Sequence, residues 1–192
     1  GEVLLERSQQ EKILDAAYAC IARDGYAQTS LRQIAQEAGV AVSQISYHYE
    51  NKEGLLLAVV ERAATNYHAY MQAYLQPHMS PREKGECFIA LYQRVLEDDQ
   101  ELFRVLYDLA GLALWSEPFR LRVRDVFGAI VEQITNEVFT EDLVNDLGYQ
   151  HAPETLASLF FGGLFGIALQ ALLEPENKEI VDSLSALSVV FK

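Results

Sequence analysis

The sequence predicts an all-α protein, and three observations support this prediction. Nearly every segment places apolar residues three and four positions apart, which is the spacing of an amphipathic helix. No segment alternates apolar and polar residues over the length of a strand, and no Asn-Gly pair marks a hairpin. Capping residues and prolines fall where the helical stretches begin and end. At 192 residues the chain is long enough to bury a sizeable core.

The first three predicted helices are short and follow one another closely. They cover residues 8–24, 30–38 and about 42–49. Ser8 and Ser30 each stand three positions before a Glu or Gln, which is the spacing of a capping box. The first two helices are each followed by a glycine that can adopt the backbone of a tight turn, Gly25 and Gly39.

A long fourth helix is predicted from Lys52 to about Leu75, before Pro77. No Gly/Ser-rich linker interrupts the chain here, so we expect this continuous helix to join two domains, residues 1–51 and 52–192. A movement in the second domain could then be transmitted mechanically to the first.

The second domain is also predicted to be helical. The sequence Ser80-Pro81-Arg82-Glu83 places a cap, a first-turn proline and a capping-box glutamate in the expected order. Segment 140–151 is the least defined. Helices are predicted at about 81–97, 100–114, 117–139, 153–173 and 177–191.

The chain is strongly acidic, with 15 Lys and Arg against 28 Asp and Glu and a net charge of -13. Residues 1–60 contribute -3 and residues 61–192 contribute -10. This balance argues against nucleic-acid binding, because neutralising phosphates normally requires an excess of cations. Binding requires that a few cations and helix N-termini face the phosphates together, and it should then depend weakly on salt. The basic residues of the first 60 are Arg7, Lys12, Arg23, Arg32 and Lys52.

Motifs for metals, disulfides and catalysis are missing from the sequence. Cys20 and Cys87 lie in amphipathic helical patterns without a CxxC, which indicates reduced thiols in the cytoplasm. Histidines 68, 78 and 151 lack the spacing of metal ligands. There is no GxSxG, HExxH or phosphate loop. We therefore expect a cytoplasmic protein that is not an enzyme and that holds neither a metal nor a cofactor.

Residues 30–49, SLRQIAQEAGVAVSQISYHY, place two short helices around the turn at Gly39. This arrangement is typical of a helix-turn-helix, whose second helix enters the major groove of DNA. Glutamine suits adenine edges, valine suits thymine methyl groups, and serine, tyrosine and histidine suit phosphates. The pattern alone also fits a surface helix pair in an ordinary helical bundle. The side chains left exposed on the second helix are Val42, Ser43, Gln44, Ser46, Tyr47 and His48.

At these residues the N-terminal segment resembles the TetR family of bacterial transcriptional regulators, over about residues 8–60. The family pattern appears as Ala38-Gly39-Val40 followed by His48, Tyr49, Lys52 and Leu55. Two positions depart from it, because Ala41 replaces a serine cap and Ser46 replaces a tyrosine. The resemblance implies phosphate contacts and groove contacts at Thr29, Ser30, Gln44, Tyr47, His48 and Lys52.

Residues 155–173 carry no charge over nineteen positions, which is close to the length that spans a bilayer. The flanking residues are glutamates rather than Lys or Arg, and the glycines require close packing, so a partner helix is favoured over a membrane. The resemblance implies that the last two long helices form a homodimer interface. A helix buried within one chain is the alternative. The predicted interface residues are Leu159, Gly162, Gly163, Gly166, Leu169, Leu184 and Leu187.

Aromatic residues are dense between the first predicted domain, residues 1–51, and the last two helices. They could line an apolar chamber for a small-molecule effector of unidentified chemistry, as the resemblance implies, or simply form the core. The resulting hypothesis is a ligand-responsive repressor that leaves its DNA operator when the effector pivots the helix from Lys52. The alternative is a helical ligand-binding or protein-interaction scaffold without DNA binding. The chamber candidates are Phe88, Tyr92, Phe103, Tyr107, Trp115, Phe119 and Phe127.

Overall fold

The computed structural model describes residues 8–192, which form ten α-helices, two short 3-10 helices and no strand. The all-α prediction is therefore confirmed, and Arg7 lies outside the described residues. The helices are α1 Gln9–Asp24, α2 Leu31–Ala38, α3 Val42–Tyr49, α4 Lys52–Tyr74, α5 Pro81–Asp98, α6 Gln100–Ala113, α7 Glu117–Glu137, α8 Glu141–Asp146, α9 Pro153–Leu173 and α10 Lys178–Ala186. The 3-10 helices are Tyr26–Gln28 and Leu187–Phe191.

The chain packs as two compact units. The first contains the residues up to Thr65 together with Arg104–Arg122, and the second contains Asn66–Phe103 with Val123–Lys192. Helices α4, α6 and α7 each continue from one unit into the other. These units are defined by packing, whereas the domains expected at 1–51 and 52–192 are functional divisions that stay a prediction.

The core of the first unit forms where α1, α2 and α3 meet. Ile13, Ile34 and Ile45, one from each helix, are fully buried. Ala35 is nearly buried as well, and its small side chain allows the helices to approach closely. Gly39 has φ 69° and ψ 35°, the left-handed conformation that the tight turn after α2 requires.

The second unit has an aromatic core. Phe88, Phe139, Phe160 and Phe191 lie in a chain of ring contacts with centroid separations of 5.4 to 6.5 Å. A Cβ atom at Gly85 of α5 would lie 2.2 Å from the Phe191 ring, so only glycine allows this ring to enter the cluster. Each buried Phe contributes roughly 1.5 to 3 kcal/mol through removal of its surface from water.

Helix α9 has two different faces. Leu156, Phe160 and Leu164 are buried within the unit, where α9 packs against α5 and α10. On the opposite face Leu159 and Leu173 are exposed. By length and hydropathy α9 is the one helix of the described residues that could cross a membrane, a test that core helices of water-soluble proteins also pass.

Candidate nucleic-acid interface

Helix α3 presents a mixed polar and aromatic face to solvent. Tyr47 is 80% exposed, and its ring meets that of His48 edge to face at a centroid separation of 5.0 Å. On the opposite side Ile45 is fully buried and fixes the helix to the unit. Of the remaining candidates, Val42, Ser43 and Ser46 are exposed, whereas Gln44 is half-buried, as is His48. The structure therefore brings the six predicted groove residues together on one short helix.

The first turns of α2 and α3 differ in how their backbone amides are satisfied. Ser30 caps α2, because its Oγ accepts the Gln33 amide at 3.2 Å while the Gln33 side chain accepts the Ser30 amide at 2.8 Å. Helix α3 begins after Ala41, whose side chain provides no cap. The Gln44 amide donates to the Ala41 carbonyl at 2.9 Å, and the amides before it can bind water or an anionic partner such as a phosphate.

Two of the predicted phosphate contacts also form hydrogen bonds inside the protein. The Thr29 side chain is buried, and its hydroxyl donates to the Gly25 carbonyl at 2.7 Å. Lys52 Nζ donates to the Thr29 carbonyl at 2.6 Å and lies 5.0 Å from the centre of the Tyr26 ring. The Thr29 hydroxyl proton is thus used on the carbonyl that follows α1, and the phosphate contact expected of Thr29 stays a prediction. Both residues brace the turn between α1 and α2.

The cations of the first 60 residues are few, and one of them is already paired with carboxylates. Arg23 forms ion pairs with Asp24 at 3.0 Å and with Glu37 at 3.2 Å, and these hydrogen-bonded carboxylates raise the pKa of Arg23 further above its usual range. Lys12 and Arg32 are exposed. Arg32 is not among the predicted DNA contacts, although its place in the first turn of α2, two residues after the Ser30 cap, would suit a phosphate contact.

Four of the seven chamber candidates belong to the second unit. Phe88, Tyr92 and Phe103 are fully buried, and the Tyr92 and Phe103 rings lie 5.2 Å apart. The Tyr92 hydroxyl is 3.0 Å from that of Tyr67, and burial strongly raises the pKa of Tyr67. Phe127 is half-buried, with its ring against those of two neighbouring phenylalanines.

The other three candidates belong to the first unit. Phe119 is buried and Tyr107 is half-buried. Trp115 is 89% exposed in the turn between α6 and α7, so it does not line an interior chamber. The prediction for Trp115 is wrong because a helix ends just before it, and the apolar spacing that suggested burial does not continue through the turn.

The exposed face of α9 carries an apolar row that we call the α9 stripe. Its leucines stand out from the surface, with Leu159 69% and Leu173 73% exposed. Neither Gly162 nor Gly166 has a neighbouring atom within 4 Å of the position of a Cβ. The stripe consists of Leu159, Gly162, Gly166, Leu169 and Leu173, spaced alternately by three and four residues.

Three predicted interface residues are used within the protomer. Leu184 is fully buried. A Cβ atom at Gly163 would lie 2.8 Å from a methyl group of Leu187, so this glycine allows close packing between α9 and the last 3-10 helix. Leu173 and Val189, by contrast, are exposed and do not belong to the predicted interface set. Extending the three-four spacing beyond Leu169 would have found Leu173.

An apolar groove lies beside the stripe, with a volume of about 510 Å³. Both α9 and the last 3-10 helix contribute to its walls, through residues that include Leu159, Phe160, Gly162, Leu187 and Val190. The Tyr149 hydroxyl donates to the Val190 carbonyl at 2.8 Å and holds one wall in place. The groove and the stripe together form a continuous uncharged surface.

Comparisons with known proteins agree with this reading of the fold. Residues 13–59 match the profile of bacterial regulatory proteins of the tetR family. The Fatty acid metabolism regulator protein of Bacillus subtilis is 29% identical over 97 residues, an alignment that spans half of this chain and half of that protein. A TetR-family regulator from Rhodococcus has the same fold, with a TM-score of 0.80, 20% identity and coverage of 96% and 99% of the two chains. FadR from Bacillus subtilis, solved with stearoyl-CoA, gives a TM-score of 0.78 at 18% identity, covering 94% and 96%.

The three short N-terminal helices, with the exposed α3 face, coincide with the part of the chain that matches the tetR-family profile, and a helical body follows them. The chain is thus similar to the TetR family over its N-terminal helices, and its likeness to the solved regulators is one of fold.

Proposed function

We propose that this protein is a cytoplasmic homodimeric repressor that binds a DNA operator through α3 of each protomer and is released by a small-molecule effector. It would act by binding rather than by catalysis. The observation that carries the proposal is the exposed α3 face, which presents Tyr47 and the polar side chains around it while Ile45 fixes the helix from behind. A short helix held in this way can enter the major groove without losing its contact with the core.

Specific contacts follow from the chemistry of this face. Gln44 can form two hydrogen bonds with an adenine edge, and Val42 can contact a thymine methyl group. Ser30, Tyr47 and the first two backbone amides of α3 can hydrogen-bond to phosphates without a formal charge. This set suits the acidic chain, because neutral donors supply contacts that its few cations cannot.

The α9 stripe supports the homodimer. A row of apolar side chains at alternating three-residue and four-residue spacing packs well against an identical helix. The open glycines, Gly162 and Gly166, would let two copies of α9 cross closely, with Leu159 and Leu169 on either side. Two copies related by a twofold axis would place two α3 helices on two related half-sites.

The interior of the second unit supports an apolar effector. Among the described residues no charged side chain is buried, and Tyr67 and Tyr92 supply hydroxyl groups in an otherwise hydrocarbon core. Such surroundings accept an uncharged chain but provide no counter-ion for a buried carboxylate or ammonium group. The likeness to the fatty acid metabolism regulator and to FadR with stearoyl-CoA supports a long acyl chain as the apolar part of the effector.

Selection from random-sequence DNA with the purified protein tests the proposal. We expect enrichment of an inverted repeat. Stearoyl-CoA should release the protein from this DNA, whereas free coenzyme A and choline, which both lack an acyl chain, should leave the complex intact. Recovery of DNA without any shared sequence would contradict operator reading and favour the scaffold alternative. Release by coenzyme A or choline, but not by stearoyl-CoA, would contradict the acyl chain as part of the effector and leave the proposed DNA binding intact.

A further inference from the structure

A single carboxylate from α6 holds the turn between α1 and α2. Asp108 Oδ2 accepts the backbone amide of Tyr26 at 2.5 Å. The neighbouring residue, Gly25, has φ 81°, and a Cβ atom there would lie 3.8 Å from the same oxygen. The carboxylate therefore contacts the turn at Gly25 and Tyr26, although Asp108 and Tyr26 are 82 residues apart in the sequence.

The same turn leads directly into α2, the first helix of the proposed helix-turn-helix. Thr29 N–H donates to the Tyr26 carbonyl at 3.2 Å, and the Thr29 carbonyl accepts Lys52 Nζ from the start of α4. Ser30, the cap of α2, follows directly. The Asp108 carboxylate, the Tyr26 amide, Thr29 and Lys52 thus form one hydrogen-bonded cluster, which we call the α6 latch.

Asp108 of the α6 latch lies on a helix that has residues in both units. Helix α6 begins at Gln100, in the second unit, and carries Asp108 in the first. A hydrogen bond to a charged acceptor is stronger and more directional than one between neutral groups. A change in the axial position of α6 would therefore alter a contact that the turn before α2 depends on.

We propose that Asp108 is a positioning residue for operator binding, acting through the Tyr26 amide on the turn that sets α2 and α3. This inference rests on the proposed DNA-binding function and adds a residue that touches no DNA.

The test compares Asp108→Ala with Asp108→Asn in the full-length protein. Alanine removes the acceptor, whereas asparagine keeps an oxygen that can accept the Tyr26 amide and loses only the charge. Glu101→Ala, an exposed acidic position on the same helix, is the matched control. Amide hydrogen exchange at Tyr26, thermal unfolding and affinity for the selected DNA are measured for each variant.

We expect Asp108→Ala to speed exchange at Tyr26 and to weaken DNA binding, each by roughly ten-fold or more, which is the scale of a lost hydrogen bond to a charged group. Asp108→Asn should recover most of both losses, and the salt dependence of binding should not change because Asp108 touches no phosphate. Faster exchange with unchanged DNA affinity, or exchange that stays slow, would overturn the inference. Absence of DNA binding by the unsubstituted protein would instead overturn the proposed function.

Discussion

The α3 face and the α9 stripe are both exposed in the protomer, yet they differ in chemistry. The α3 face combines Tyr47 and His48 with small polar side chains over a buried Ile45. The α9 stripe contains only leucine and glycine and lies beside an uncharged groove. Hydrogen-bonding groups on a firmly packed helix suit a polar partner, whereas a bare apolar row suits a surface like itself.

Because the two surfaces suit different partners, substitutions on each should impair a different property of the protein. Damage to the stripe should change the oligomeric state first and DNA binding as a consequence. Damage to the α3 face should change DNA binding and leave the oligomeric state alone.

Leu169→Glu should convert the dimer to a monomer. Two carboxylates would be buried near the twofold axis without counter-ions, and we expect dimerisation to weaken by at least about 100-fold. Sedimentation velocity over a range of concentrations measures this change. Ala90→Glu adds the same charge at an exposed apolar position on α5 and should leave the dimer intact. An unchanged dimer in Leu169→Glu would show that another surface joins the protomers.

Tyr47→Ala should weaken binding to the selected DNA by roughly ten-fold, the scale of one well-placed contact in a protein–DNA interface. Fluorescence anisotropy with labelled duplex measures the affinity, and the dimer should be unaffected. Trp115→Ala removes another exposed aromatic side chain, outside the α3 face, and serves as the control. Equal losses of DNA affinity in the two variants would show that binding does not depend specifically on the α3 face.

Lys52→Met and Arg32→Met should differ in the salt dependence of DNA binding. Lys52 Nζ is bonded to the Thr29 carbonyl, so its loss should weaken binding several-fold with little change in the salt slope. Arg32 is exposed, and its replacement should lower the slope of log K against log salt by about one unit. If Lys52→Met lowers the slope as much as Arg32→Met does, Lys52 is a phosphate contact.

Ala41→Ser should stabilise the first unit, because helix α3 lacks a side-chain cap. An added serine hydroxyl can accept an amide of the first turn and should raise the free energy of unfolding by about 1 kcal/mol. Chemical denaturation measures the change, and Ala27→Ser, in the exposed 3-10 turn, is the control. A loss of stability would mean that the start of α3 cannot accommodate the hydroxyl.

Local sequence signals predicted the helices well, because caps and glycines act on their immediate neighbours. Ser30 with Gln33 and Gly39 set the limits of α2 as expected. Helix α8 was not predicted, since its six residues are too few to establish a period, although Thr140 caps its start. The stripe was found in part, because spacing identifies a helix face but cannot tell which leucines, such as Leu184, are covered within the protomer.

Contacts between residues distant in sequence could not be predicted in the same way. Nothing near Thr29 or Lys52 in the chain indicates that the two are bonded to each other. Asp108 resembles any other acidic residue of a solvated helix until the fold brings it to the Tyr26 amide. Sequence patterns therefore located the α3 face, while the residues that hold it in place required the structure.

Hydroxyl-radical footprinting on the selected DNA reports on the α3 face and the α9 stripe in one experiment. Two protected patches should lie symmetrically about the centre of the repeat, on one side of the duplex and about one helical turn apart. Both patches should fade together in Tyr47→Ala and in Leu169→Glu. A single asymmetric patch, or protection that persists in both variants, would contradict a dimer that reads DNA with two α3 helices.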